Sequence, residues 1–131
     1  GEAPKIVKQA FAAVAAAQDR ALTEIRDGVS GADVHAAAAS ELEARGFQTD
    51  SDGDPPTGFF HGTGHGLGLE VHEAPRVSAK TSGVLAAGDV VTVEPGLYYP
   101  DWGGVRIEDV VVVRGKNCEN LTSADKVLEI G

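Results

Sequence analysis

Methionine is absent from this chain and cysteine occurs once, at Cys118. A single thiol excludes an intramolecular disulfide and any metal site built from several thiolates. Without methionine, Gly1 is not an unprocessed translation start; removal of an initiator before a small residue, or excision from a longer chain, would account for it. Aromatic residues are scarce at 5%, yet 42% of the chain is hydrophobic, a globular rather than a disordered composition. Positive charge is also short: 11 Lys and Arg against 20 Asp and Glu leave a formal net charge of −9. That balance argues against nucleic acid or an anionic membrane as a partner, and plain solubility accounts for it. No apolar run reaches the length of a membrane span and no signal-peptide pattern opens the sequence, so a soluble cytoplasmic protein is expected. At 131 residues the size suits one domain with a core of its own.

What is present divides into a helical beginning and a strand-rich remainder. Ile6, Val7, Ala10, Phe11, Val14, Leu22 and Ile25 recur at helical spacing and predict an amphipathic helix over residues 4–26. Pro4 suits its first turn, and the alanine-rich run at 12–17 favours helix and permits close packing. Asp27-Gly28 ends it. Ser30 caps a second helix, with Asp33 as an acidic capping-box member, Val34, Ala37, Ala38 and Leu42 as its apolar stripe, and Gly46 as its stop. His35 lies beside that stripe and is expected on the helix surface. Residues 48–58 read as a loop, and Asp50, Asp52 and Asp54 make no EF-hand, because Pro55 and His61 stand where Gly and Glu are required. Residues 76–89 read as turns. Strands are expected at Val90–Glu94, continued by Leu97–Tyr99 past a bulge, at the valine-dense Val105–Arg114, and at Lys126–Ile130. Helices followed by a run of strands indicate an α+β fold.

Between these parts lies Phe59–Pro75, FFHGTGHGLGLEVHEAP, which holds three of the four histidines: His61, His65 and His72. Glycines at 62, 64, 66 and 68 clear one face of an extended segment for close approach by backbone or ligand. Alternation along Val90–Glu94 sets Thr92 and Glu94 on one face, with Val91 and Val93 on the other. In the next strand Arg106 and Glu108 share a face opposite Val105 and Ile107. If the apolar faces pack on the helices, Glu94 and Glu108 point across the other side, within reach of His65. Singly, each would be an ordinary surface group, and Arg106 with Glu108 a weak exposed pair; together they favour a site. Histidine with carboxylates and no cysteine suits Mn²⁺, Co²⁺ or Zn²⁺, and His65, Glu94 and Glu108 make a reasonable mononuclear donor set with an open position. A dinucleotide fingerprint fails because Leu67 stands in place of its third glycine, and neither a phosphate loop nor a nucleophile elbow is present.

These segments, HGTGHGLGLEVHE at 61–73, VEPGLYY at 93–99 and RIED at 106–109, resemble the metallopeptidase family of Xaa-Pro aminopeptidases and Xaa-Pro dipeptidases (prolidases). That family has the pita-bread fold, shared with methionine aminopeptidase. The likeness extends to GVSGADV at 28–34 and covers nearly the whole chain. Methionine aminopeptidases lack the RIED form, so the proline-directed branch is the better match. The resemblance implies the C-terminal half of a pita-bread fold, with two N-terminal helices on a curved, mostly antiparallel sheet. It implies a site with two divalent metal ions, Mn²⁺ first, then Co²⁺ or Zn²⁺. His65 would be a ligand, Glu94 a ligand that also serves as acid and base, and Glu108 a bridging ligand. His61 and His72 would line the substrate site, with His72 stabilising the tetrahedral intermediate, and Arg106 would lie near metal and substrate. The implied substrate is a proline-containing peptide, cleaved before the proline.

The family pattern is incomplete in this chain. Its two aspartate ligands and an upstream active-site histidine precede the first helix, and nothing in residues 1–131 matches them. The expectation is therefore the C-terminal part of a metallopeptidase catalytic domain, without the N-terminal domain, that binds metal weakly and is inactive alone. A half sheet leaves a strand edge uncovered, so the missing half or a second copy is the expected partner, the latter as a homodimer. Competing readings are a non-catalytic binding module on the same fold, a methionine-aminopeptidase-like exopeptidase and a metal-free creatinase-like hydrolase. The retained His65, Glu94 and Glu108 speak against the first and the last.

Overall fold

In the computed structural model, which describes residues 1–130, two helices precede seven short strands. Helix α1, Lys5–Glu24, buries Ala10, Ala13, Val14, Ala17 and Ala21 along one face. Small side chains there let the helix lie close on strands and on the second helix, as the alanine run predicts. Helix α2, Gly31–Ala44, starts at Ser30, whose hydroxyl accepts from the Ala32 amide at 3.1 Å. The cap is the residue expected, although its bond goes to Ala32 and not to Asp33. At the other end the Gly46 amide donates to Glu43 O and the Phe47 amide to Leu42 O, with Gly46 at φ +88. This is a Schellman ending, and it needs glycine at that position.

The strands are β1 Gly64–Gly66, β2 Glu73–Val77, β3 Val90–Val93, β4 Gly96–Tyr99, β5 Gly103–Arg106, β6 Asp109–Val113 and β7 Cys118–Asn120. Five form one sheet in the order β2-β1-β3-β6-β7, antiparallel throughout, while β4 and β5 pair as a separate antiparallel ribbon. The fold is α+β, as expected. Val91, Val93, Val111 and Val113 are fully buried and form the sheet's share of the core with the alanine face of α1. No helix among the described residues is long and apolar enough to cross a membrane.

Four strand expectations are corrected. Leu97–Tyr99 does not continue β3 past a bulge; it lies in β4, which leaves the five-stranded sheet to pair with β5. Val105–Arg114 is two strands, because β5 pairs with β4 and β6 with β3, and the chain changes sheets at Ile107-Glu108. The turn-rich stretch 76–89 gives up its first residues to β2, an edge strand that tolerates Pro75 because one side of its backbone needs no ladder partner. Lys126–Ile130 is no strand; β7 takes the sheet edge, and Lys126 instead sends its ammonium inward to Asp109 Oδ2 at 2.9 Å and to Gln18.

The alternating glycines are also resolved. A Cβ on Gly64 would stand 1.8 Å from Thr92 O, and one on Gly66 would stand 2.0 Å from Ala74 O. At these two positions the glycines admit neighbouring backbone. Gly64→Ala must push β1 away from β3, and it is expected to destabilise the fold by about 3 kcal/mol or more in denaturant melts. Gly115, whose added Cβ meets nothing within 4 Å, is the control. Gly115→Ala should stay within about 0.5 kcal/mol, and equal losses for the two variants would contradict the packing account.

Candidate active site

Sheet order brings the chemistry together. Strand β1 carries His65 at its centre and lies beside β3, and Glu94 is the first residue past β3. The Thr92 hydroxyl accepts from the His65 backbone amide at 3.1 Å and donates to Glu94 Oε1 at 2.9 Å. Thr92 is 1% exposed, so this link is shielded from water. The Glu94 amide donates to Thr63 O at 2.7 Å, which ties the glutamate's backbone to the residue just before β1.

His65 Nδ1 lies 2.9 Å from Gly66 O. A carbonyl can only accept, so Nδ1 carries the hydrogen and a neutral ring presents its lone pair at Nε2. That nitrogen is 3.2 Å from Glu94 Oε1, with both side chains largely buried. Two acceptors at this distance attract only with a proton or a cation between them. A metal-binding imidazole is held in this way, and the N,O donor pair fits an intermediate-to-hard divalent ion.

Glu108, in the break between β5 and β6, is not brought into this pair. Its side chain is 41% exposed, and Arg106 stands between the two carboxylates, Nε 3.7 Å from Glu94 Oε2 and an Nη 4.0 Å from Glu108 Oε2. Among the described residues no three His, Cys, Asp or Glu side chains gather as a metal-holding group. These residues therefore fit a metal as a partial donor set. The Arg106 pKa is raised above its ordinary value, first by Tyr98; burial opposes this, and Glu94 and Glu108 add smaller increases.

A cavity of about 400 Å³ opens beside the pair, lined by His61, His65, His72, Arg76, Glu94 and Arg106 among others. His72 stacks edge-on against His65 at 4.7 Å between ring centroids. His61 donates from Nδ1 to Gly62 O at 2.7 Å and accepts the Tyr98 hydroxyl at Nε2, 3.1 Å away. The expected His61, His65, His72, Glu94 and Arg106 thus share one cavity, and Glu108 borders it through Arg106.

Several side chains around this site were given no role in it by the sequence. Tyr98 reaches His61 because its ring lies over glycine: a Cβ on Gly104, its cross-strand partner, would come within 2.5 Å of that ring. Arg76 enters the cavity wall from β2, donating to His72 O at 3.0 Å. His35 is not a solvated helix-surface group: Nδ1 pairs with the Thr63 hydroxyl at 2.9 Å, and its ring packs 5.0 Å from Phe59. No local pattern marks these three, since each depends on which strand or helix lies opposite.

Residues 1–115 match the model for metallopeptidase family M24. The chain is 39% identical over 130 residues to an uncharacterized peptidase of Bacillus subtilis, covering 99% of this chain and 35% of that protein. It is 36% identical over 121 residues to a Xaa-Pro dipeptidase of Pyrococcus furiosus, covering 92% of this chain and 32% of the relative. Among solved structures, a Xaa-Pro dipeptidase from Bacillus anthracis superposes with a TM-score of 0.86 at 38% identity, over 98% of this chain and 34% of that one. The chain therefore spans about a third of the length of these relatives and shares the fold of the corresponding part, a pita-bread fold.

His35 gives a test by pH. Burial first, and His61 second, push its pKa below the ordinary 6.5. The unfolded chain then takes up a proton more readily than the folded one, so stability present above 6.5 is lost as pH falls below that value. His35→Gln, which keeps a polar partner for Thr63, should flatten this acid-side loss in melts between about pH 7 and about pH 5. Parallel pH profiles for the two proteins would contradict the assignment.

Proposed function

This chain belongs to metallopeptidase family M24, and on that premise we propose that it is the C-terminal part of the catalytic domain of a Xaa-Pro peptidase, an aminopeptidase or dipeptidase that cleaves before proline. The observation that carries the reading is His65 Nε2 facing Glu94 Oε1 at 3.2 Å, with the other ring nitrogen committed to Gly66 O. His65, Glu94 and Glu108 would hold the metal, with the remaining ligands supplied from the part of the protein beyond these residues. Two divalent ions, Mn²⁺ in first place and Co²⁺ or Zn²⁺ next, would supply Lewis-acid polarisation of the scissile carbonyl and activation of the attacking water when bound.

The chain's own groups take the other roles. Glu94, fixed at Oε1 by Thr92, accepts a proton from the attacking water and returns it to the departing nitrogen. His72, on the cavity wall beside His65, donates to the oxyanion that develops on the substrate carbonyl. His61, held through both ring nitrogens, and Tyr98 shape the side on which the peptide lies. Arg106 balances the charge of Glu94 and Glu108 and orients the substrate. Leu67, Leu69 and Val71 stand exposed after β1, which supports further protein covering this rim, either the rest of the domain or a second copy in a homodimer. The setting proposed is the cytoplasm.

The full-length protein should hydrolyse an Xaa-Pro dipeptide in the presence of Mn²⁺ and stop when a chelator is added. Glu94→Gln should lower kcat by about 10²–10⁴-fold. Residues 1–131 alone should bind metal weakly, through the partial donor set, and show no turnover. Turnover by that piece alone, or full activity in Glu94→Gln, would overturn the reading.

A further inference from the structure

We propose that Gln18 is a positioning residue of this site, its buried amide gripping together the two backbone corners that present Glu94 and Glu108. Its consequence for metal binding rests on the function proposed above; its effect on His65 and Glu94 does not.

Gln18 lies on the buried face of α1 among Val14, Ala17 and Ala21, and is itself 0% exposed. Its neighbours on that face are apolar, so a leucine or methionine would suit the core by volume. The amide instead donates from Nε2 to Val93 O at 2.8 Å and to Ile107 O at 3.3 Å. These carbonyls belong to the peptide units whose nitrogens are those of Glu94 and Glu108. Each lies where a ladder stops: Val93 is the last residue of β3, and Ile107 falls between β5 and β6. Carbonyls buried at such points need a donor from elsewhere, and one side chain supplies both.

The grip is held in one orientation. Gln18 Oε1 accepts from the Lys126 ammonium, which also bonds Asp109 Oδ2 at 2.9 Å, and the Asn120 amide reaches the same oxygen at 2.7 Å. Reversing the Gln18 amide would aim its oxygen at two carbonyl oxygens and its hydrogens at a cation. The Val93–Glu94 peptide unit is consequently fixed at both ends, its carbonyl by Gln18 and its N–H by Thr63 O at 2.7 Å. Helix α1 thus sets where the Glu94 carboxylate meets His65, and how far Glu108 stands from it.

The test uses Gln18→Met in the full-length protein, with Val14→Ala as a control that also removes buried contacts from α1. Two readouts apply: the ring ¹⁵N shifts of His65 without metal, which report its contact with Glu94, and the affinity for added Co²⁺. Gln18→Met should move the His65 ring shifts and weaken Co²⁺ binding by about 10–100-fold, as loss of an outer-shell partner does. Val14→Ala should leave both in place despite lower stability. Wild-type ring shifts in Gln18→Met, or equal changes in Val14→Ala, overturn the proposal. If the unaltered protein binds no Co²⁺, the metallopeptidase reading fails, and the His65 shifts still decide the role of Gln18. Should Gln18→Met not fold, Lys126→Ala, at the 31% exposed end of the same network, decides by the same ring shifts. Movement of the ring shifts supports the grip, and no movement overturns it.

Discussion

A strand that serves two sheets must leave backbone hydrogen bonds unmade where it crosses between them, and the geometry of this site depends on how those bonds are replaced. The crossing occurs at Ile107-Glu108, between the β4–β5 ribbon and the five-stranded sheet, and β3 ends beside it at Val93-Glu94. Each crossing point carries a glutamate. Regular ladders hold side chains at fixed alternating positions, whereas an interrupted ladder can aim one across the sheet. The cost is buried carbonyls without partners, and helix α1 meets it with the single polar side chain of its core face, Gln18.

The charge arrangement follows from that frame. His65 has one ring nitrogen committed to its own strand and the other turned on a carboxylate, an arrangement that calls for a positive charge between them. Arg106 supplies a cation on the far side of Glu94 and holds Glu108 apart. On the proposed function, an ion held at Nε2 would share carboxylates that Arg106 now faces. The buried Asp109, next in sequence to Glu108, is instead balanced from the opposite direction by Lys126.

Much of this was legible in the sequence, in identifiable places. The α1 and α2 boundaries followed from helical periodicity, Ser30 and Gly46, and the α+β class followed from the order of the elements. His61, His65, His72, Glu94 and Arg106, named from the sequence motifs, line one cavity, and the β1–β3 pairing is what sets His65 beside Glu94. The break in Val105–Arg114 was not legible, because valine content records strand preference without saying which neighbour each half will pair with. Gln18 offered no signal at all: a glutamine on an alanine-rich helix is unremarkable until the carbonyls above it are seen. His35 misled for the same reason, since Thr63 and Phe59 reach it only through the fold.

On the proposed function, the direct His65–Glu94 contact takes the place of a metal ion. Anomalous diffraction from Mn²⁺-saturated crystals of the full-length protein tests it directly. Metal density is expected between His65 Nε2 and the Glu94 carboxylate, with Glu108 drawn in from its exposed position and Arg106 displaced. Crystals saturated with Mn²⁺ in which His65 and Glu94 keep their direct 3.2 Å contact, with no density between them, would contradict it.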